Sequence, residues 1–115
     1  MQIHRTDGLW YSAEYSTFSI SDEVGKYRLT VDGYSGDAGN ALMTPQWPNW
    51  ISNGMMFTTQ DSDNDLRVND NCGRWGGWWY GQCSTSDINK NGDAAWKTYG
   101  STKDVQASRM LVKLN

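Results

Sequence analysis

The clearest pattern of apolar and polar positions lies between residues 18 and 33 and predicts a β-hairpin. Apolar side chains alternate with polar ones on both sides of the acidic, glycine-containing segment 22–25. The alternating residues are Phe18 and Ile20 before that segment and Tyr27, Leu29 and Val31 after it. A period of two is typical of half-buried strands, so we expect two antiparallel strands, the second ending at Asp32-Gly33. The less regular stretch 9–18 is expected to be extended as well.

Helical periodicity is weak along the rest of the chain. Asp37 stands where it would cap a short helix through Met43, and the proline-containing segment 44–53 is expected to be an ordered loop. Met110, Val112 and Leu114 alternate with Leu111 and Lys113, which predicts a terminal strand. A chain of 115 residues forms one domain, residues 1–115. The expected fold class is α+β: a small twisted antiparallel sheet with short helices and long ordered loops.

Charge and composition exclude several classes of function. The net charge is −3, with both signs scattered along the chain, so the basic surface that nucleic acid or anionic lipid requires is missing. No apolar run approaches the roughly 18 residues that span a membrane, and residues 1–7 lack the apolar core of a signal peptide. We therefore expect neither nucleic-acid binding nor membrane insertion. A secreted protein would be represented here by a processed form or a fragment.

The segment 57–83 holds the candidate chemistry. Carboxylates stand at every second position in Asp61, Asp63 and Asp65, and calcium prefers six to eight oxygen ligands of this kind. An EF-hand is excluded, because it would need glycine at Leu66 and glutamate at Cys72. A solvated acidic turn fits the pattern of aspartates equally well and is the alternative.

Cys72 and Cys83 leave two interpretations open, free thiols or a disulfide. A zinc site is excluded because neither histidine nor a further cysteine flanks the pair, and the single histidine, His4, is remote from both. Seven tryptophans and twelve glycines are typical of a loop-rich extracellular domain, which favours the disulfide. The aromatic residues between the cysteines either pack the loop onto the sheet or present ring faces to a ligand.

Four stretches of the chain together resemble a known family. They are YRLTVDGYSGDAGNAL at 27–42, FTTQDSDND at 57–65, Asn71-Cys72, and GWWYGQC at 77–83. In this order and spacing they resemble the fibrinogen C-terminal (fibrinogen-related) domain of ficolins, tachylectins and invertebrate lectins. The resemblance runs from about Tyr15 to Leu114 and covers the later half to two-thirds of the usual domain, without its N-terminal subdomain.

The resemblance implies one calcium ion and one disulfide. Asp63 and Asp65 would supply carboxylates, and backbone carbonyls near Arg67 and Asn69 would complete the site with water. The disulfide would join Cys72 to Cys83. One extra residue between Asp65 and Cys72 departs from the family pattern and would shift the carbonyl donors by one position.

The resemblance also implies a ligand site beside the second cysteine. The family places a cis peptide there, which would be Gln82–Cys83, and its lectin members aim a backbone amide at an acetyl group. The corresponding residues are Gln82, Cys83 and Ser84, with Tyr80, Trp96 and Tyr99 as candidate aromatic walls. Ser84 replaces the histidine of many ficolin-type members, and the loop at 86–92 is shortened on one side of the pocket.

These observations predict a calcium-dependent lectin module rather than an enzyme. The expected ligands are N-acetylated or acidic glycans, in innate immune or cell-surface recognition. A protein–protein interaction module that binds peptides or receptors without sugar specificity is the alternative. We expect a secreted protein, and a homo-oligomer is one expected arrangement, since multivalency offsets weak binding at single sites.

Overall fold

The computed structural model describes residues 1–45, 47–90, 94–97 and 105–114. Strands dominate this part of the chain, and the helical elements are two short 3₁₀ turns. In sequence order the elements are β1 (Gln2–Arg5), β2 (Trp10–Ile20), β3 (Leu29–Gly36), η1 (Pro48–Trp50), β4 (Phe57–Thr58), η2 (Cys72–Trp75), β5 (Trp78–Trp79) and β6 (Val105–Arg109). No helix among the described residues is long and apolar enough to cross a membrane.

The predicted hairpin is confirmed and forms half of a four-stranded sheet of order β3-β2-β1-β6. β2 and β3 pair antiparallel from Ala13↔Gly36 to Ile20↔Leu29. β1 lies antiparallel to both β2 and β6. β4 and β5 form a separate two-stranded antiparallel sheet. This short sheet carries the segment 57–83, because the acidic residues follow β4 and the second cysteine follows β5.

The core joins both sheets. Ile3 of β1, Leu29 and Val31 of β3, and the aromatic residues Trp78, Tyr80 and Trp96 are buried in one cluster. The Trp79 ring meets Phe18 and Phe57 edge-on, with ring centroids 6.3 and 5.2 Å away. The loop after β4 is thus fixed to the hairpin by aromatic packing, which is the commoner role of such residues.

Three predicted elements differ from the structure. The helix from Asp37 to Met43 is absent; the Asp37 carboxylate instead accepts a hydrogen bond from the Ser12 amide, and the backbone makes a turn at residues 40–44. β3 continues past Asp32-Gly33 to Gly36, because Gly33 adopts a positive φ of 68° within the strand. The terminal strand is Val105–Arg109, and residues 110–114 lie outside it.

Candidate functional site

The acidic loop that follows β4 is held by its own side chains and by side chains of β4. The Asn64 amide N–H donates to Thr58 Oγ1 and its side chain donates to the Phe57 carbonyl, both at 2.9 Å. The Asp61 carboxylate accepts from Thr59 Oγ1 at 2.7 Å. Asp61 therefore stabilises a local turn, and the candidate metal ligands reduce to Asp63 and Asp65.

Asp63 and Asp65 are neighbours in space, and Asp65 fixes the next part of the loop. One Asp65 oxygen accepts from the Arg67 amide at 2.8 Å and the other from the Cys72 amide at 2.9 Å. Partial burial raises the pKa of the Asp65 carboxyl. The two hydrogen bonds lower this pKa, and the nearby Asp63 charge raises it. Two carboxylates thus share a site in which negative charge is poorly compensated.

The donor set around these aspartates fits a calcium ion. The described residues contain no group of three or more His, Cys, Asp or Glu side chains that could hold a metal, so a cation would need further oxygen ligands. The carbonyls of Arg67 and Asn69 accept no hydrogen bond within the described part of the protein and are available for that purpose. The ion pairs between described residues join Arg67 and Arg74 to Asp70 and include neither Asp63 nor Asp65.

A disulfide ties the acidic loop to the candidate ligand turn, which we define as residues 81–84. Cys72 and Cys83 are bonded with a Cα–Cα distance of 5.3 Å, as the resemblance implies. Leu66 donates its amide to the Gly81 carbonyl at 2.9 Å, and Arg67 Nη1 lies 3.4 Å from Cys83 Sγ. The acidic loop and this turn are therefore joined by a covalent bond and a main-chain hydrogen bond.

The Gln82–Cys83 peptide is not cis, because the described residues contain no cis bond. The backbone turns here by another route: Cys83 adopts a φ of 66° in the left-handed region, and Gly81 and Cys83 form an isolated antiparallel bridge. The Gln82 amide N–H donates to the Asn49 carbonyl at 2.8 Å. That amide is consequently satisfied inside the protein, and the exposed part of Gln82 is its side chain.

Two of the three predicted aromatic walls are not on the surface. Tyr80 and Trp96 are both fully buried, at 0 % exposure. The Tyr80 hydroxyl lies within hydrogen-bond distance of both Asp87 Oδ2 and the Gly76 carbonyl, to which it can give its single proton, and Trp96 Nε1 donates to the Gly39 carbonyl. Rings buried this deeply act as core residues and are out of reach of a ligand at the surface. Tyr99 and part of the shortened loop 86–92 lie outside the described residues.

A ring of three hydroxyl groups supports the ligand turn. Ser52, Ser84 and Ser86 lie within 2.9–3.2 Å of one another through their Oγ atoms. Ser52 and Ser86 are buried and Ser84 is half-buried at the surface. Sequence reasoning identified Ser84 alone, because Ser52 is 32 positions away and carries no local signal.

Comparison with known proteins identifies the family. The family model described as the C-terminal globular domain of fibrinogen beta and gamma chains matches residues 1–110. The fibrinogen beta chain of Gallus gallus is 40 % identical over 98 residues, which is 74 % of this chain and 21 % of that protein. A techylectin-like protein of Phoneutria nigriventer is 37 % identical over 79 residues, covering 67 % of this chain and 32 % of the relative.

A solved structure shows the same fold. Lamprey fibrin D-dimer, complexed with the peptide Gly-His-Arg-Pro-amide, superposes with a TM-score of 0.76 at 24 % identity over 97 % of this chain and 46 % of that one. The protein thus spans less than half the length of these relatives. From the match over residues 1–110, it belongs to the family of C-terminal globular domains found in the beta and gamma chains of fibrinogen.

Proposed function

We propose that this protein is an extracellular, calcium-dependent binding module for N-acetylated or acidic glycans, with its ligand site at residues 81–84. The observation that carries the proposal is the pair Asp63 and Asp65, two neighbouring carboxylates on a loop that the Cys72–Cys83 disulfide joins to the ligand turn. A disulfide of this kind persists in oxidising, extracellular surroundings. A relative bearing the name techylectin-like protein supports the sugar class.

Each part of the site has a separate role in this proposal. Asp63, Asp65 and the carbonyls of Arg67 and Asn69 hold the loop around a calcium ion, which when bound supplies compensating positive charge. The exposed Gln82 side chain offers an amide donor to an acetyl carbonyl or carboxylate. The Arg67 guanidinium, which pairs with Asp70 through Nε and lies beside Cys83, keeps further N–H donors that can bind the carboxylate of an acidic sugar. These are binding roles, and we assign no catalytic group.

A peptide ligand is the second candidate, and one observation favours it. With Tyr80 and Trp96 buried, the ligand turn presents polar groups rather than aromatic walls to solvent. Sugar sites gain from aromatic faces, whereas a peptide end is recognised by charged and amide groups. The lamprey structure with its bound Gly-His-Arg-Pro-amide is consistent with this mode.

A glycan array probed in millimolar calcium and again in chelator tests the proposal. We expect binding to N-acetylated or acidic glycans in calcium and at least about a tenfold loss in chelator or in the Asp65→Asn variant, because one carboxylate ligand of two is removed. Asp61→Asn is the matched control, since this nearby carboxylate serves only the Thr59 turn; it should bind as the original protein does.

The outcomes separate the two candidates. Absence of binding to any glycan at any density, with calcium-dependent binding to Gly-His-Arg-Pro-amide, would favour the peptide. Glycan binding that survives both chelator and Asp65→Asn would contradict the role of the cation.

A further inference from the structure

Two tryptophans, Trp47 and Trp50, lie on a segment beside the ligand turn and take no part in the core of the described residues. Trp47 is 54 % exposed and Trp50 is half-buried, whereas Trp78 and Trp96 are fully buried in the core. An indole ring carries a large apolar surface, and its burial against a ligand is favourable. No role described above uses these two rings.

The segment 47–52, which we call the tryptophan segment, is in direct contact with the ligand turn. The Asn49 carbonyl accepts a hydrogen bond from the Gln82 amide at 2.8 Å. Three positions further on, Ser52 Oγ lies 3.2 Å from Ser84 Oγ. Two contacts, one between main chains and one between side chains, thus hold the segment along the turn.

The peptide between Gly81 and Gln82 has the acidic loop on one side and the tryptophan segment on the other. Its carbonyl accepts from the Leu66 amide at 2.9 Å, and its N–H donates to the Asn49 carbonyl. The described residues contain no cis bond, and the C=O and N–H of a planar trans peptide point in opposite directions. The exposed Gln82 side chain therefore stands between a polar, acidic flank and a flank that carries two indole rings.

The 3₁₀ turn η1 fixes the tryptophan segment before any ligand binds. The Trp50 amide donates to the Trp47 carbonyl at 2.9 Å, and a spacing of three residues places side chains on the same side of a 3₁₀ turn. Pro48 begins the turn, and its ring fixes its own φ. A wall that is ordered in advance loses little conformational freedom on binding.

We propose that Trp47 and Trp50 form the aromatic wall of the ligand site, against which the CH face of an N-acetylated pyranose such as N-acetylglucosamine packs. The inference rests on the proposed glycan function and names the residues that contact the sugar ring. An N-acetylated sugar matches both flanks, because its acetamido group can bond to the Gln82 side chain while its ring covers an indole. The wall that Tyr80 and Trp96 do not supply is thus supplied by a different element.

Saturation-transfer NMR with N-acetylglucosamine in millimolar calcium tests the wall. Trp47→Ala should weaken binding about three- to tenfold, because the apolar contact with the sugar ring is lost. Saturation of the sugar-ring protons should also fall relative to that of the acetyl methyl group, which a merely structural role of Trp47 would not change. Trp47→Phe should recover most of the binding, since it restores an aromatic face.

Trp10→Ala is the matched control. Trp10 is 52 % exposed, close to the exposure of Trp47, but it lies on β2 of the four-stranded sheet. Its removal should leave the affinity for N-acetylglucosamine unchanged. Both rings are exposed, so both variants are expected to fold, and their melting curves verify this. The rise in melting temperature with calcium should be the same in Trp47→Ala as in the original protein, because the wall contains no proposed cation ligand.

The outcomes separate the wall from the proposed function. Calcium-dependent binding of N-acetylglucosamine that Trp47→Ala leaves unchanged, or that Trp10→Ala weakens equally, would overturn the wall and leave the function standing. Calcium-dependent binding of other glycans but not of N-acetylglucosamine would do the same. Absence of binding to any glycan would overturn the function, and the wall with it. If Trp47→Ala weakens Gly-His-Arg-Pro-amide and not the sugar, the ring serves a peptide and the proposal is wrong.

Discussion

At the level of single residues, burial beside Asp87 gives Tyr80 a structural role in place of the ligand-binding role that its motif predicted. The Tyr80 hydroxyl donates to the Asp87 carboxylate, which also accepts from the Asn89 amide. Burial raises the pKa of Asp87, while the hydrogen bonds from Tyr80 and Asn89 and the nearby Lys90 charge act against it. Tyr80, which its position in the motif assigned to ligand binding, is therefore a partner of a buried carboxylate.

Asp87 should make the stability of the protein fall with rising pH in the mildly acidic range. Its pKa in the folded state lies above the ordinary 3.8, so the folded state holds the proton at pH values where the unfolded state has lost it. The free energy of unfolding therefore decreases from about pH 4 up to the raised pKa. Asp87→Asn should reduce this slope, measured by urea denaturation over the mildly acidic range up to neutrality, and the Asp65 carboxyl, whose pKa is also raised, contributes the remainder. An unchanged slope in the variant would contradict the assignment.

At the level of elements, the disulfide is the main connection between η2 and the ligand turn. Apart from the packed aromatic rings, the segment 57–83 contains one pair of two-residue strands and one 3₁₀ turn, so little regular structure holds it. In the chain-entropy model a loop of this size is worth about 3 kcal/mol. The disulfide therefore supplies order that hydrogen-bonded ladders supply elsewhere.

Replacing both cysteines by serine should lower the free energy of unfolding by about 2–3 kcal/mol and weaken ligand binding. The circular dichroism spectrum should change little, because the four-stranded sheet lies outside the loop that the bond closes. Urea denaturation, ligand titration and the spectrum of the same sample decide the matter. Ligand affinity equal to that of the original protein would show that the ligand turn does not depend on the bond.

Strands were predictable from sequence where their alternating apolar side chains enter the core. The alternation around Leu29 and Val31 predicted the hairpin because both side chains enter the core. The same alternation at 110–114 predicted a strand, and that prediction was wrong. A strand also needs a hydrogen-bonded neighbouring strand, which the sequence pattern does not reveal. β1 was not predicted, because Gln2–Arg5 mixes Ile3 with the buried Arg5, whose guanidinium donates to the Ala38 carbonyl 33 positions away.

At the scale of the whole molecule, the motifs of the candidate site were predictable from sequence, but which of their residues are exposed was not. Asp63, Asp65 and the cysteine pair are local in sequence, and the structure brings them together. Whether a ring lines a pocket or fills the core depends on long-range packing. The Trp96 indole, for example, donates to Gly39, 57 positions away. No local pattern distinguishes that outcome from a wall of a pocket.

Calcium should stabilise the whole fold if it binds this loop and not the unfolded state. A concentration one hundredfold above the dissociation constant adds about 2.7 kcal/mol, so the melting temperature should rise with calcium and fall in EDTA. Asp63→Asn should abolish the calcium dependence, and magnesium is the control cation, because it prefers smaller octahedral sites. Melting curves that coincide in calcium and in EDTA would mean that the loop needs no cation.

The ring of Ser52, Ser84 and Ser86 limits what the ligand turn has left to offer. Three hydroxyl protons serve three oxygen–oxygen contacts, and Ser84 Oγ also accepts from the Ser86 amide. A hydroxyl has one proton and two lone pairs, so the Ser84 hydroxyl has no hydrogen-bonding capacity left for a ligand. A ligand can hydrogen-bond to the Ser84 hydroxyl only by breaking a hydrogen bond of this ring. The free energy of that lost bond then reduces the affinity for the ligand.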